Sequence, residues 1–159
     1  MAVDYFLQIA GIEGESKDAK HKGWLDVLSW SWGESRPEAP HAGGGGGAGK
    51  VNMQDLSFIT RAGKASPKLF LACAAGQHFK EATLVGVMAT DKAQQQFLTW
   101  TLSDILVSSF QTSASEEVPT ESVSLNFAKV NVEYRSQKAD GSLDAPISAG
   151  WDLKANKKL

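Results

Sequence analysis

Two segments of this chain change the phase of their alternation part-way along, and no other feature of the sequence constrains the fold as tightly. Over 51–60 the apolar side chains fall at Val51 and Met53 and then at Leu56 and Phe58, so an inserted residue, a β-bulge, is expected near Gln54 and Asp55. Over 123–134 they fall at Val123, Leu125 and Phe127 and then at Val130, Val132 and Tyr134. A strand that keeps one face buried across such a shift has to bend, and long bent strands belong to a barrel or a tightly curled sandwich. The fold read from the pattern is mainly β: a small β-barrel of two antiparallel sheets.

Further strands are expected over 5–9, 24–32, 83–88, 97–108 and 147–153, about seven in all. Along 24–32, alternation places Leu28, Trp30 and Trp32 on one side and Val27, Ser29 and Ser31 on the other. One short flanking α-helix is predicted over 67–75. Ser66 can cap it, Pro67 suits its first position, it runs to Ala75, and Gly76 can end it. Leu69, Phe70, Ala72 and Cys73 would form its apolar face. At under three turns it is unstable alone and has to pack on the barrel wall or mouth.

Between the second and third of these strands lies a long Gly-rich loop at about 37–50. From Gly44 to Gly49 and Lys50 it has the glycine and lysine spacing of a phosphate loop. That chemistry needs a Ser or Thr hydroxyl for Mg²⁺ where Val51 stands, a buried strand before the glycines and a helix after them. Instead, Pro37 and Pro40 break the chain upstream and a strand begins downstream, so the segment reads as a connecting loop.

With 159 residues, 42% of them hydrophobic, the chain suits one domain over 1–159. The net charge is -2 and the 16 basic residues are scattered, which argues against nucleic acid as a partner. A lone cysteine, Cys73, makes no internal disulfide and fits folding in a reducing compartment. The first residues form no signal peptide and no later stretch would span a bilayer, so the expectation is a cytoplasmic origin without membrane insertion.

Candidate chemistry is sparse. His21, His41, His78 and Cys73 do not share a metal-ligand spacing, and neither a metal nor a cofactor is expected. Cys73 reads as a core thiol and His78 as a surface imidazole. Gly14-Glu15-Ser16-Lys17-Asp18 is close to a serine nucleophile turn but has Asp18 where a second glycine is required, so Ser16 and Asp18 are expected to fix a surface turn by side-chain hydrogen bonds. An enzyme built on Glu15, Asp18 and His21 is the less favoured alternative. Glu116 and Glu117 read as a solvated hairpin end. Trp30 and Trp32 share a face, and a monomeric barrel using them to stack on a planar ligand is a second alternative, although barrel core or subunit contact suits large aromatics better.

Several separated motifs, in order, resemble the hemolysin-coregulated protein (Hcp) family, the inner-tube proteins of bacterial type VI secretion systems. They are Gly14-Glu15-Ser16-Lys17-Asp18 with His21, Asp26-Val27-Leu28-Ser29-Trp30-Ser31-Trp32-Gly33, the glycine loop, Leu56-Ser57-Phe58, Ser66-Pro67-Lys68-Leu69, Val107-Ser108-Ser109, Val123-Ser124-Leu125-Asn126-Phe127 and Gly150-Trp151-Asp152. The resemblance implies a non-enzymatic subunit of a homohexameric ring. Such rings stack into a hollow tube that a contractile sheath expels behind a tip spike, with small effector proteins carried in the lumen. It also implies secretion from the bacterial cytoplasm without an amino-terminal signal. Lumenal cargo candidates are Ser31 and its neighbour Ser29. Ring-stacking candidates in the loop are Pro40, His41, Gly43, Gly44, Gly45, Gly46, Gly47 and Lys50.

Overall fold

The computed structural model describes residues 2–37, 50–89 and 93–159. In chain order its elements are β1 (Val3–Ile9), β2 (Leu25–Val27), β3 (Ser29–Ser31), β4 (Glu34–Ser35), β5 (Asn52–Met53), β6 (Leu56–Arg61), α1 (Ser66–Ala75), β7 (His78–Ala89), β8 (Gln94–Ser113), β9 (Thr120–Asn126), β10 (Lys129–Tyr134), β11 (Ile147–Asp152) and β12 (Lys157–Lys158). The mainly β reading holds. Three of the expected strands are each cut in two, those over 51–60 and 123–134 at their phase shifts and that over 24–32 at Leu28, and β4 and β12 are additional.

The cuts close the barrel. β1 pairs with β7 and β2, β7 with β8, β8 with β9, β9 with β6, and β6 with β3, all antiparallel. The circuit is completed because β2 and β3 are one strand bent at Leu28, whose N–H donates to the Ile59 carbonyl at 2.8 Å. The bend also corrects the expected alternation. Val27 is buried and Leu28 is 43% exposed, so Val27 and Trp30, not Leu28 and Trp30, face the core. Trp24 lies before the strand and packs on the outer side of β1 and β7 with Phe6, Val85 and Val87.

β8 is the spine of the molecule. Its first half pairs with β7 on one side and β10 on the other, and its second half pairs with β9 after a register shift between Val107 and Ser109. β9 and β10 therefore follow the same side of β8, separated by Phe127 and Ala128, where the sequence shifted phase. β10, β11 and β12 continue the sheet beyond the barrel as a flange. At the other phase shift, Gln54 donates its N–H to the Gly33 carbonyl at 2.9 Å, and the Asp55 carboxylate accepts from Ser108 and Asn126. The interruption is a break between β5 and β6 rather than a bulge within one strand. β4 and β5 form a separate two-stranded ladder.

The core is made by inward residues of the closed strands, among them Leu7, Leu56, Phe58, Leu84, Leu102, Ile105 and Leu125, each at most 1% exposed. α1 differs from expectation at both its start and its face. Ala65 occupies the N-cap, and the Ser66 hydroxyl accepts from Gly63 N–H and donates to the buried Glu121 carboxylate, both at 2.9 Å. Leu69 and Ala72 are buried and Cys73 half-buried, but Phe70 is 61% exposed. Gly76 ends the helix in the left-handed region, as its sequence position suggested.

Candidate functional site

The outer face of the four strands β3, β6, β9 and the second half of β8 carries two rows made mostly of serine. Register places Ser31 opposite Ser57, Ser57 opposite Ser124 and Ser124 opposite Ser109. The next row outward is Ser29, Ile59, Ser122 and Gln111. Side chains of directly paired residues share a face, and the Ser57 and Ser124 hydroxyls meet at 3.0 Å. Ser29 and Ser31 are exposed. None of the residues in these two rows is charged. The sequence reading found the β3 end of the face but missed Ser57, Ser122, Ser124 and Ser109. The alternations Leu56-Ser57-Phe58 and Val123-Ser124-Leu125 carried the signal, but the pairing that joins them is set by tertiary register.

Among the stacking-loop candidates, Lys50 is exposed just before β5. Pro40, His41, Gly43, Gly44, Gly45, Gly46 and Gly47 lie outside the described residues.

Trp30 and Trp32 do not present a flat platform. Trp30 meets Tyr5 edge-on at 5.8 Å and Trp100 at 6.2 Å, while Trp32 lies 5.0 Å from Trp100 at a tilt of 48°. The three tryptophans interlock where the barrel passes into the flange. Beside them opens a groove of about 750 Å³ between the β4–β5 ladder and the inner face of β10 and β11, lined by Trp32, Met53, Trp100, Val132, Ala149 and Trp151 among others.

Asp18 and His21 do meet. Asp18 Oδ2 and His21 Nδ1 are 2.8 Å apart, Gln94 Nε2 donates to Asp18 Oδ1 at 2.6 Å, and the Asp18 N–H donates to the Ser16 hydroxyl at 3.2 Å. The expected hydrogen-bonded turn is present, although Ser16 is buried. The Gln94 bond, with help from His21 and the Lys20 N–H, holds the Asp18 carboxyl below the usual range against the opposing effect of burial. The His21 ring stacks on Phe6 at 4.7 Å and meets Trp24 edge-on at 4.8 Å. This is the packing of a structural histidine. Glu15 stands apart from the pair, over Gly63. His78, at the surface as expected, bonds Asp104 at 3.0 Å.

This architecture, a small bent-strand barrel with a neutral serine face and a flange, is that of a structural assembly protein. The family model described as "Type VI secretion system effector, Hcp" matches residues 6–134. Protein hcp1 of Pseudomonas aeruginosa is 48% identical over 159 residues, covering 98% of each chain. The crystal structure of Hcp1 from Salmonella typhimurium superposes with a TM-score of 0.79 at 36% identity over the full length of both chains. A structure described as a type six secretion system protein superposes at 0.89 with 31% identity, covering 99% of this chain and 100% of that one. The chain belongs to the Hcp family. It is a structural tube protein of a type VI secretion system, from a secreted family that assembles into rings and tubes with other components of the machine.

Proposed function

We propose that this chain works as one domain, forming a homohexameric ring whose lumen is the serine face and whose rings stack into the expelled tube. The observation that carries this reading is the four-stranded sheet itself. Its outer face carries two uncharged rows that are polar except at Ile59, and among the described residues β3 has a strand neighbour on one side only, β6, while β8 beyond Leu106 is paired with β9 alone. Identical subunits closing a ring need two different, complementary surfaces on each copy, and the two ends of one sheet supply such surfaces. Ser31 and Ser29 then face small effector proteins passing through the tube. The segment 37–50 meets the next ring, and the outside of the tube meets the sheath and, at its end, the tip spike. The role is geometric and needs neither catalysis nor a cofactor. The subunit is made in the cytoplasm and leaves through the machine.

Electron microscopy and native mass test this together. The expected result is a ring with a central hole at about six times the 17.0 kDa chain mass; a monomer at assembly concentrations would sink it. Ser31→Arg is expected to lower effector retention while leaving rings intact, and unchanged retention would mean that the serine face is not the lumen. Deleting 43–47 is expected to leave single rings but weaken stacking.

A further inference from the structure

Within the two uncharged rows of the serine face, one side chain does not match its surroundings. Ile59 stands between Ser29 on β3 and Ser122 on β9, and it is 38% exposed, although serine fills the corresponding place in the row beside it, at Ser57. A single exposed aliphatic residue is ordinary on a protein surface, but two observations set this one apart. The first is its neighbour at the bend between β2 and β3. Leu28 and Ser29 are both exposed and both oppose Ile59, whose carbonyl accepts the Leu28 N–H at 2.8 Å. Two residues facing one is the arrangement of a β-bulge, and it brings a second aliphatic residue, 43% exposed, to the side of the first.

The second is that strand pairing between copies leaves Ile59 uncovered. β6 already has β3 on one side and β9 on the other within the same chain. A copy that joins the sheet at the free edge of β3, or along the end of β8, lies beside this face and does not close it. Only a molecule resting on the face reaches Ile59, and charge decides what kind. Along β6 the nearest charges stand outside the two rows: exposed Arg61, two residues beyond Ile59, and Asp55, two before Ser57, whose carboxylate accepts from Ser108 and Asn126. An ion pressed against the neutral rows would lose its water with no opposite charge to receive it. The complement of this surface is therefore an uncharged stretch that offers hydroxyl or amide groups to the serines and one aliphatic or aromatic side chain to Ile59 and Leu28.

We propose that Ile59, with Leu28 beside it, is the apolar anchor of the lumen and a specificity-determining contact for the effector proteins carried there. This assignment rests on the ring reading above, in which the serine face lines the channel. Ring symmetry repeats Ile59 at one height, so a channel faced with hydroxyls at this level also carries a belt of aliphatic side chains, one from each copy. The serines accept any uncharged polar surface and discriminate little. The belt favours cargo that presents an exposed aliphatic or aromatic side chain within an uncharged stretch.

Methyl NMR of assembled protein labelled at the isoleucine δ1 carbons reads this directly, because the five isoleucines occupy distinct environments. Ile9, Ile12 and Ile105 are buried, Ile147 is exposed on the flange and Ile59 lies on the serine face. The probes are two end-capped, uncharged peptides, Ser-Gly-Ser-Leu-Ser-Gly-Ser and the same peptide with serine in place of leucine. The leucine peptide is expected to shift the Ile59 methyl saturably, to leave Ile147 unmoved and to bind about tenfold more tightly than the serine peptide. Ile59→Ser is expected to keep the ring mass and lose that preference, and Ile59→Val to keep most of it, with binding to the variants read from the peptide's own diffusion. In rings of intact mass, no saturable shift at Ile59, equal binding of the two peptides, a response at Ile147 instead, or an Ile59→Ser ring that still prefers leucine would each overturn the anchor and leave the ring reading standing. A nitroxide carried on a polymer wider than the central hole tests the reading underneath. It is expected to spare the Ile59 methyl, and broadening there would put the serine face outside the ring and overturn both, as would failure of the unsubstituted protein to form rings.

Discussion

The closed barrel and the flange beside it are made from the same kinds of residue in the same alternation, yet they end in different physical states. Around the barrel, Phe58, Leu84 and Leu125 point inward and are sealed by strands on every side. On the flange, Val132 and Ala149 point to the same side of the same sheet but line an open groove, and at its rim Tyr134 is 48% and Ile147 74% exposed. One region spends its apolar surface on folding and the other keeps it available for association. The difference comes from closure. The bend at Leu28 joins the two ends of the barrel circuit, whereas β12 is the last strand of the flange and turns no corner.

That contrast predicts opposite responses to substitution. Phe58→Ala removes a ring at the centre of the sealed core and is expected to cost about 3–5 kcal/mol, lowering Tm by roughly 10 °C for a chain of this size. Thermal unfolding of the dilute protein checks it. A drop of only a degree or two would mean that the barrel is as loosely sealed as the flange.

Gly14→Ala probes how tightly the outer cover of the barrel is built. A Cβ there would stand 2.5 Å from the Trp24 carbonyl oxygen and 2.8 Å from the Leu25 nitrogen, and both are backbone atoms that a rotamer change cannot move. Overpacking of this kind costs about 1–3 kcal/mol. The expected Tm loss is smaller than that of Phe58→Ala, with near-ultraviolet dichroism showing altered Trp24 packing.

Much of the barrel was legible because it rests on local alternation. The two phase shifts announced bends, and they fall where β5 gives way to β6 and β9 to β10. What was not legible depends on which strand meets which. Leu28 is as apolar as the buried Val27 beside it, and the bend that exposes it, where its N–H bonds the Ile59 carbonyl across the sheet, is set by strand pairing. Phe70 looks like a core residue on a helical wheel, but the helix turns Leu69, Ala72 and, in part, Cys73 to the wall and leaves Phe70 outside. The serine face was half-read, from Ser29 and Ser31. Its width comes from register, which one sequence does not state. The groove was invisible for a related reason: Val132 and Ala149 alternate as core residues do, and whether a partner strand covers them is decided elsewhere in the chain.

Acidity separates two carboxylates on the barrel's outer cover. Asp18 is held below its ordinary value chiefly by the Gln94 bond, so its contribution to stability is complete above the usual carboxylate range and fades as pH falls through the lowered value. Asp26 runs the other way. Burial raises it, Asp4 and Asp18 add to the rise and Arg61 opposes it, so its charged form weighs against folding near neutrality and that penalty lifts as pH falls through the raised value. Asp18→Asn is expected to lower Tm at pH 7 and to flatten the acid limb below about pH 4. Asp26→Asn is expected to leave Tm at pH 7 unchanged or higher. A loss at both positions would mean that local hydrogen bonds, not charge, dominate this cover.

The smallest effect on the isolated subunit is expected at Ile147, and it decides whether the flange is held in reserve. With 74% of its surface already in water, Ile147→Ser has little burial to lose, and dilute protein should unfold within about 0.5 kcal/mol of the parent. Association changes that expectation. Anything that binds the folded chain raises its apparent stability with concentration, so parent protein should gain Tm as rings and stacks form, and the variant should gain less. Equal gains would place the rim of the flange outside every contact between copies, and a large loss in dilute protein would show that the single chain already covers it.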